Sequence, residues 1–212
     1  MMKVEVYGDI ACPWCRLGTH QFRRAVAAAG VAPDVELVHR PYQLMPDAPE
    51  DVRPLMDAAA ELFGREQAES MLAGMTRVGA DEGIEYRFDR ALAVNTLAAH
   101  RLLWFALSEH GAKVQAALAT ALFDAYFRDG VNIADHARLA ELAERVGLDG
   151  DRVRAFLASE EGVAEVRDQV AAARREGVTA VPHFVFENGA SITGATSTEA
   201  LRDALRKASG RE

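Results

Sequence analysis

The feature that most constrains this sequence is Asp9-Ile10-Ala11-Cys12-Pro13-Trp14-Cys15, because the only two cysteines among 212 residues stand three positions apart within it. Two thiols at this spacing make a device and not a disulfide framework. Ahead of them, Lys3-Val4-Glu5-Val6-Tyr7 alternates polar and apolar, the pattern of a strand over about residues 3–9. Behind them, Gly18, Phe22, Ala25, Val26 and Ala29 share one stripe of a helix over 13–29, with Gly30 as its C-cap. Pro13 fits the first helical position, where a missing N–H costs nothing. Cys12 therefore falls at the N-cap, and Cys15 lies three residues into the helix.

That placement makes the two sulfurs unequal. An N-cap side chain accepts hydrogen bonds from free N–H groups of the first turn. The positive end of the helix dipole adds about 0.3 to 1 kcal/mol, or about 2 when partly buried. Together these favour the Cys12 thiolate by roughly one pKa unit. The expectation is an exposed nucleophile at Cys12 and a sheltered resolving thiol at Cys15. No metal is expected: zinc needs four ligands, and His20, His39, His100, His110, His136 and His183 are scattered without a second C-x-x-C or a close histidine pair. A disulfide across so short a loop would add little stability, so redox chemistry is the better reading.

Charge narrows the partners. The chain carries 24 basic and 32 acidic residues, a formal net charge of −8, and no basic run. Nucleic acid and anionic membrane surfaces are thus poor partners. The apolar run near Leu97 to Leu107 is broken by His100 and Arg101, so no transmembrane span is expected. The first strand begins at once after Met1-Met2, which leaves no room for a signal peptide if Met1 is the native start. The expected compartment is then the cytoplasm, where protein disulfides are mostly transient.

Along the chain, Val35, Leu37 and Val38 form a second strand reaching Pro41, giving a β-α-β unit with parallel strands. Gln43 to Pro54 is turn-rich, centred on Pro46-Asp47-Ala48-Pro49. About 51–177 reads as helices, apart from an ambiguous Ile84-Glu85-Tyr86-Arg87-Phe88. Asp135 is an expected N-cap there, and Ser159 precedes a stripe of Val163, Val166, Val170 and Ala173. Strand signals return after Gly177. Phe184-Val185-Phe186 and Ile192 flank Asn188-Gly189, a strong hairpin signal. A last helix starts near Thr196 or Ser197, with Glu199 completing a capping box, and buries Leu201, Ala204, Leu205 and Ala208.

These pieces resemble the DsbA family and, within it, the FrnE-like cytoplasmic branch. The resemblance rests on Cys12-Pro13-Trp14-Cys15, Pro41-Tyr42-Gln43-Leu44, Asn95-Thr96-Leu97-Ala98-Ala99-His100-Arg101, Gly177-Val178-Thr179-Ala180-Val181-Pro182 and Gly194-Ala195, in that order. It implies an α/β thioredoxin fold, split in sequence as β-α-β and β-β-α, with an inserted all-helical domain. Residues 1–45 and 178–212 would form the thioredoxin-like domain and 46–177 the insertion. It implies dithiol–disulfide exchange with no bound cofactor and a cis Val181–Pro182 bond facing the dithiol. Cys12 and Cys15 are then catalytic, while Pro13, Trp14, Val181 and Pro182 meet the substrate. Two departures matter: Pro13-Trp14 lacks the histidine of typical periplasmic DsbA, and the additional cysteine pair of some FrnE-like proteins is absent.

The expected function is thiol–disulfide exchange on protein or small-molecule thiols and disulfides, with reduction or isomerisation favoured in a reducing compartment. Glutathione is the expected redox partner or substrate. A kappa-class glutathione transferase or 2-hydroxychromene-2-carboxylate isomerase has a similar layout but commonly puts serine where Cys12 stands. In that reading Thr196 and Ser197 hold a glutathione carboxylate; helix capping is the simpler account. A non-catalytic holdase is a third reading, in which both cysteines are dispensable. His183 is a candidate for tuning the Cys12 thiolate, Asp9 for influencing its acidity, and His100 with Arg101 for a stabilising pair on a helix face.

Overall fold

The computed structural model describes residues 2–30, 35–48 and 51–209. Strand β1 (Met2–Gly8) leads into helix α1 (Pro13–Ala29) and strand β2 (Val35–Pro41). A two-residue strand β3 (Arg53–Pro54) precedes α2 (Leu55–Phe63) and α3 (Arg65–Asp81), and β4 (Leu92–Ala93) pairs with it. Five more helices follow: α4 (Leu97–His110), α5 (Ala112–Phe127), α6 (His136–Arg145), α7 (Gly150–Ala158) and α8 (Val163–Arg175). The hairpin β5 (His183–Phe186) and β6 (Ser191–Thr193) and helix α9 (Thr198–Ala208) complete the order.

The main sheet runs β2-β1-β5-β6, so its two halves come from opposite ends of the chain. β1 lies parallel to β2, with Val4 opposite Leu37, and antiparallel to β5, with Val6 opposite Phe184. This is the split thioredoxin arrangement. Val4, Val6, Phe184 and Phe186 face α1 and α9 and close a core with Phe22, Leu201 and Leu205. Phe22 and Phe184 stack at 5.2 Å. Full burial of each such side chain stabilises by about 1.5 to 3 kcal/mol, so the two chain ends hold each other.

A second, larger core starts at the turn before α1, with Ile10, Cys12, Cys15 and Leu17, and runs into α4 and α5 through Leu102, Phe105, Leu118, Leu122 and Tyr126. The dithiol is thus part of the packing between sheet and helical block. The edge of β2 is closed by α5: Gln115 accepts from His39 N and donates to His39 O, each at 2.9 Å. A side-chain amide here stands in for a neighbouring strand. Among the described residues no helix is long and apolar enough to cross a membrane.

The structure decides several local readings, some as expected and some not. Ile84, Tyr86 and Phe88 are buried alternately, as in a strand, yet the segment is irregular. Its backbone bonds helix ends, Ile84 N to Gly79 O and Arg87 N to Phe127 O. The N-cap of α8 is Gly162, in the left-handed region, and Ser159 instead ends α7. Ser197 caps α9 by accepting from Ala200 N; Glu199 is then the second helical residue, one short of a capping box. Asp135 caps α6, accepting from Ala137 N and Arg138 N. Pro49 lies outside the described residues.

Candidate active site

Cys12 is the N-cap of α1, with extended backbone (φ −92°, ψ 113°) and Pro13 following it. The turn is set locally: Cys12 N donates to Asp9 O and Cys15 N to Cys12 O, each at 3.0 Å. That second bond takes the N–H expected to serve Cys12 Sγ, which receives no capping hydrogen bond.

Neither sulfur is exposed. Cys12 is 4 % accessible and Cys15 1 %, which corrects the expectation of an open nucleophile. The cover comes from the helical block. Arg16 donates to Glu85 O at 2.6 Å and to Asp124 Oδ1 at 2.7 Å, holding the Glu85–Tyr86 segment against α1. Tyr86 lies under the Arg16 guanidinium and donates its hydroxyl to Pro13 O at 2.7 Å. Trp14, by contrast, is 48 % exposed, facing outward and not closing over the dithiol. Burial, with a hydrogen bond to the Cys12 sulfur, pushes the Cys15 thiol well above its ordinary pKa.

Pro182 follows a cis peptide bond. Its placement depends on two glycines. A Cβ at Gly18 would lie 2.7 Å from Pro182 Cγ, and one at Gly8 would lie 3.2 Å from Cys15 Sγ. The bare backbones of β1 and α1 therefore let the Pro182 ring and the Cys15 sulfur settle at the same end of the sheet. Gly194 N donates to Pro182 O at 2.7 Å, fixing the loop to the hairpin. Val181 packs on the core that contains the dithiol.

His183 is not brought to Cys12. It alternates with Phe184, which faces α1, so its ring lies across the sheet. There it hydrogen-bonds Thr193 Oγ1 at 2.7 Å, beside Tyr7. Burial lowers its pKa. Ser197 is engaged as a cap.

What the sequence reading missed is the polar shell around Asp9. This carboxylate, 2 % exposed, accepts from Leu44 N at 2.8 Å and Ala11 N at 3.3 Å, and meets His100 Nε2 at 3.3 Å. Gln43, next to Leu44, donates to Asn95 Oδ1 and Thr96 Oγ1 just before α4. Two segments that pointed to a family are thus folded onto the dithiol turn. His100 and Arg101 do not form a helix-face pair. Arg101 turns away and donates to carbonyls of Phe156, Ser159 and Glu161, tying α4 to the end of α7. The available signal was two polar side chains within the apolar run Leu97–Leu107, each requiring a buried partner.

Beside Ala11, a cleft of ≈ 360 Å³ opens between the Leu44–Met45 segment and α2. Its walls are chiefly apolar, and Leu44, Met45, Leu62 and Phe63 remain about half exposed.

Comparison with known proteins agrees with this geometry. A solved structure of a probable DsbA oxidoreductase, SCO1869 from Streptomyces coelicolor, is 35% identical with a TM-score of 0.89, covering 100% of this chain and 92% of that one. The uncharacterized protein YwbO of Bacillus subtilis (strain 168) is 27% identical over 205 residues, 95% of this chain and 94% of its own. The cytosolic disulfide reductase DsbM from Pseudomonas aeruginosa, solved with GSH, shares the fold at a TM-score of 0.67 and 16% identity over 97% of this chain and 98% of that one. The model of the DSBA-like thioredoxin domain matches residues 3–206, and with the dithiol at the mouth of α1 and cis-Pro182 at the same end of the sheet, the chain belongs to that family.

Proposed function

We propose that the protein is a thiol–disulfide oxidoreductase of the FrnE-like branch, acting in the cytoplasm as a reductase or isomerase. Cys12 thiolate attacks one sulfur of a substrate disulfide; the other leaves as a thiolate and takes a proton. Cys15 then gives up its proton and attacks Cys12 Sγ, the Cys12–substrate bond breaks, and the second substrate thiol departs. Two electrons have passed to the substrate, and Cys12–Cys15 is the disulfide. Two molecules of glutathione, as redox partner, return the pair to the dithiol and leave as glutathione disulfide. Pro13, Trp14, Val181 and Pro182 border the place where the substrate chain lies, and apolar groups flanking its disulfide enter the cleft beside Ala11. Residues 46–177 act as the helical insertion that covers the dithiol and shapes this cleft.

The observation that carries the reading is the inequality within the turn: Cys12 at the N-cap, Cys15 deeper and held thiol by burial. It predicts that Cys12→Ser abolishes disulfide reduction, whereas Cys15→Ala accumulates substrates joined to Cys12 and detectable by mass spectrometry. Full reductase activity in Cys12→Ser would refute it. Activity kept without both thiols would favour a holdase, and saturable glutathione binding without them a transferase.

A further inference from the structure

The site continues inward behind Cys15. A small cavity of ≈ 20 Å³ lies there, where Cys15, Thr19, His39, His100 and Gln115 stand among apolar neighbours such as Leu103, Leu107 and Phe123. Its walls come from β1, α1, β2, α4, α5 and α8, so it sits where the sheet meets the helical block. Gln115 is committed to the His39 backbone and Leu103 O. His39 Nε2 is buried with no hydrogen-bond partner among the described residues. A polar cavity needs only about 10 to 15 Å³ to take a water, provided two to four polar groups receive it. Cys15, His39 Nε2 and His100 provide them.

Resolution of the mixed disulfide gives this cavity a task. Cys15 must become a thiolate, and burial opposes that. While Cys12 carries the substrate, the outer face of the turn is occupied, so the proton has to leave inward.

We propose that His100, held by Asp9, takes the Cys15 proton through one water in this cavity, and that His39 Nε2 fixes that water in place. This rests on the dithiol reading above and assigns the base that its second step requires. The S–H bond of Cys15 breaks, its proton passes to the water, and a water proton passes to His100 Nδ1, because Nε2–H is committed to Asp9. The electron pair stays on Cys15 and forms the bond to Cys12 Sγ; the pair of the broken Cys12–substrate bond leaves with the substrate sulfur, which is protonated by solvent. When the enzyme disulfide is next reduced, the imidazolium returns its proton to Cys15. The groups facing His100 and the cavity are Asp9 from the β1–α1 turn, Cys15 from α1, and His39 and Arg40 from β2, with Arg23 of α1 acting on His39. Of these, Asp9 is in contact with His100 itself, at 3.3 Å. His39 and His100 are positioning residues, since each reaches Cys15 only through the water.

The test is stopped-flow reaction with 5,5′-dithiobis(2-nitrobenzoate), which releases one thionitrobenzoate when Cys12 attacks and a second when Cys15 resolves. His100→Gln keeps an N–H for Asp9 but is no base. Its second phase should slow about 100-fold at pH 6.5 and approach the wild-type rate near pH 9, as general-base loss predicts. His39→Leu should slow the same phase by about tenfold with the same recovery. The first phase should stay within about twofold of wild type in both. Wild-type second phases in both variants, or equal slowing at every pH, would overturn the proposal. Should one variant fail to fold, the other decides. Absence of the first phase in the wild type would instead refute Cys12 as nucleophile.

Discussion

On its inner side the Cys12–Cys15 turn meets Asp9, His100 and Gln43, buried side chains each with a hydrogen-bond partner. On its outer side it presents Trp14 and, beyond Ala11, the apolar cleft with Met45, Leu62 and Phe63 half in solvent. Buried polar groups are expensive to leave unpaired, so the inner side tolerates few arrangements and fixes where the sulfurs lie. Exposed apolar groups cost little and are indifferent to small shifts, so the outer side is less tightly specified. Rigidity behind the dithiol and tolerance in front of it is the division of labour that the proposed disulfide exchange would use.

The sharpest way to break this contrast is Asp9→Ala. It strips the partner from Leu44 N and His100 together and should destabilise by about 3 kcal/mol, read from urea unfolding at neutral pH. A comparable effect on the inner side should depend on pH. Burial, with neighbouring His100 and Arg23, pushes His39 down to about 4. A folded pKa below the unfolded value means the unfolded chain binds more protons between roughly pH 6.5 and 4. His39 thus contributes stability above pH 6.5 that is lost as pH falls toward 4, about 3 kcal/mol at most. His39→Leu should flatten that acid limb when unfolding midpoints at pH 7.5 and pH 4 are compared.

Gly18→Ala probes the boundary between the two sides. The added methyl meets the Pro182 ring, and the strain should cost about 1 to 3 kcal/mol in the same unfolding assay while slowing mixed-disulfide formation. The smallest change in stability, within about 0.5 kcal/mol, is expected for Leu62→Ser with Phe63→Ser on the outer side. Reduction of an apolar disulfide should nevertheless fall roughly five- to tenfold, with a small charged disulfide unaffected, as kcat/KM for the two substrates will show. An equal loss on both substrates would remove the cleft from substrate binding.

Much of the fold was legible because its signals are local. The alternation before Asp9, the proline after Cys12 and the stripe through Phe22 specify strand, turn and helix within a few residues of themselves, and Asn188-Gly189 does the same for the hairpin. The alternation through Ile84, Tyr86 and Phe88 left that segment ambiguous because alternation reports a buried face, not the presence of a neighbouring strand. The inner shell was illegible for a similar reason: Asp9 and His100 are 91 positions apart, and nothing in either neighbourhood names the other.

The sequence by itself determined that two thiols stand at the mouth of a helix, unequally placed, since backbone hydrogen bonding over seven residues is enough to put them there. Only the tertiary structure decided that both are covered, that a carboxylate and an imidazole stand behind them, and that Pro182 rests against Gly18. Those outcomes depend on which buried polar atoms and bare backbone surfaces meet when the two chain ends close one sheet around the helical block, and burial is a property of the assembled whole.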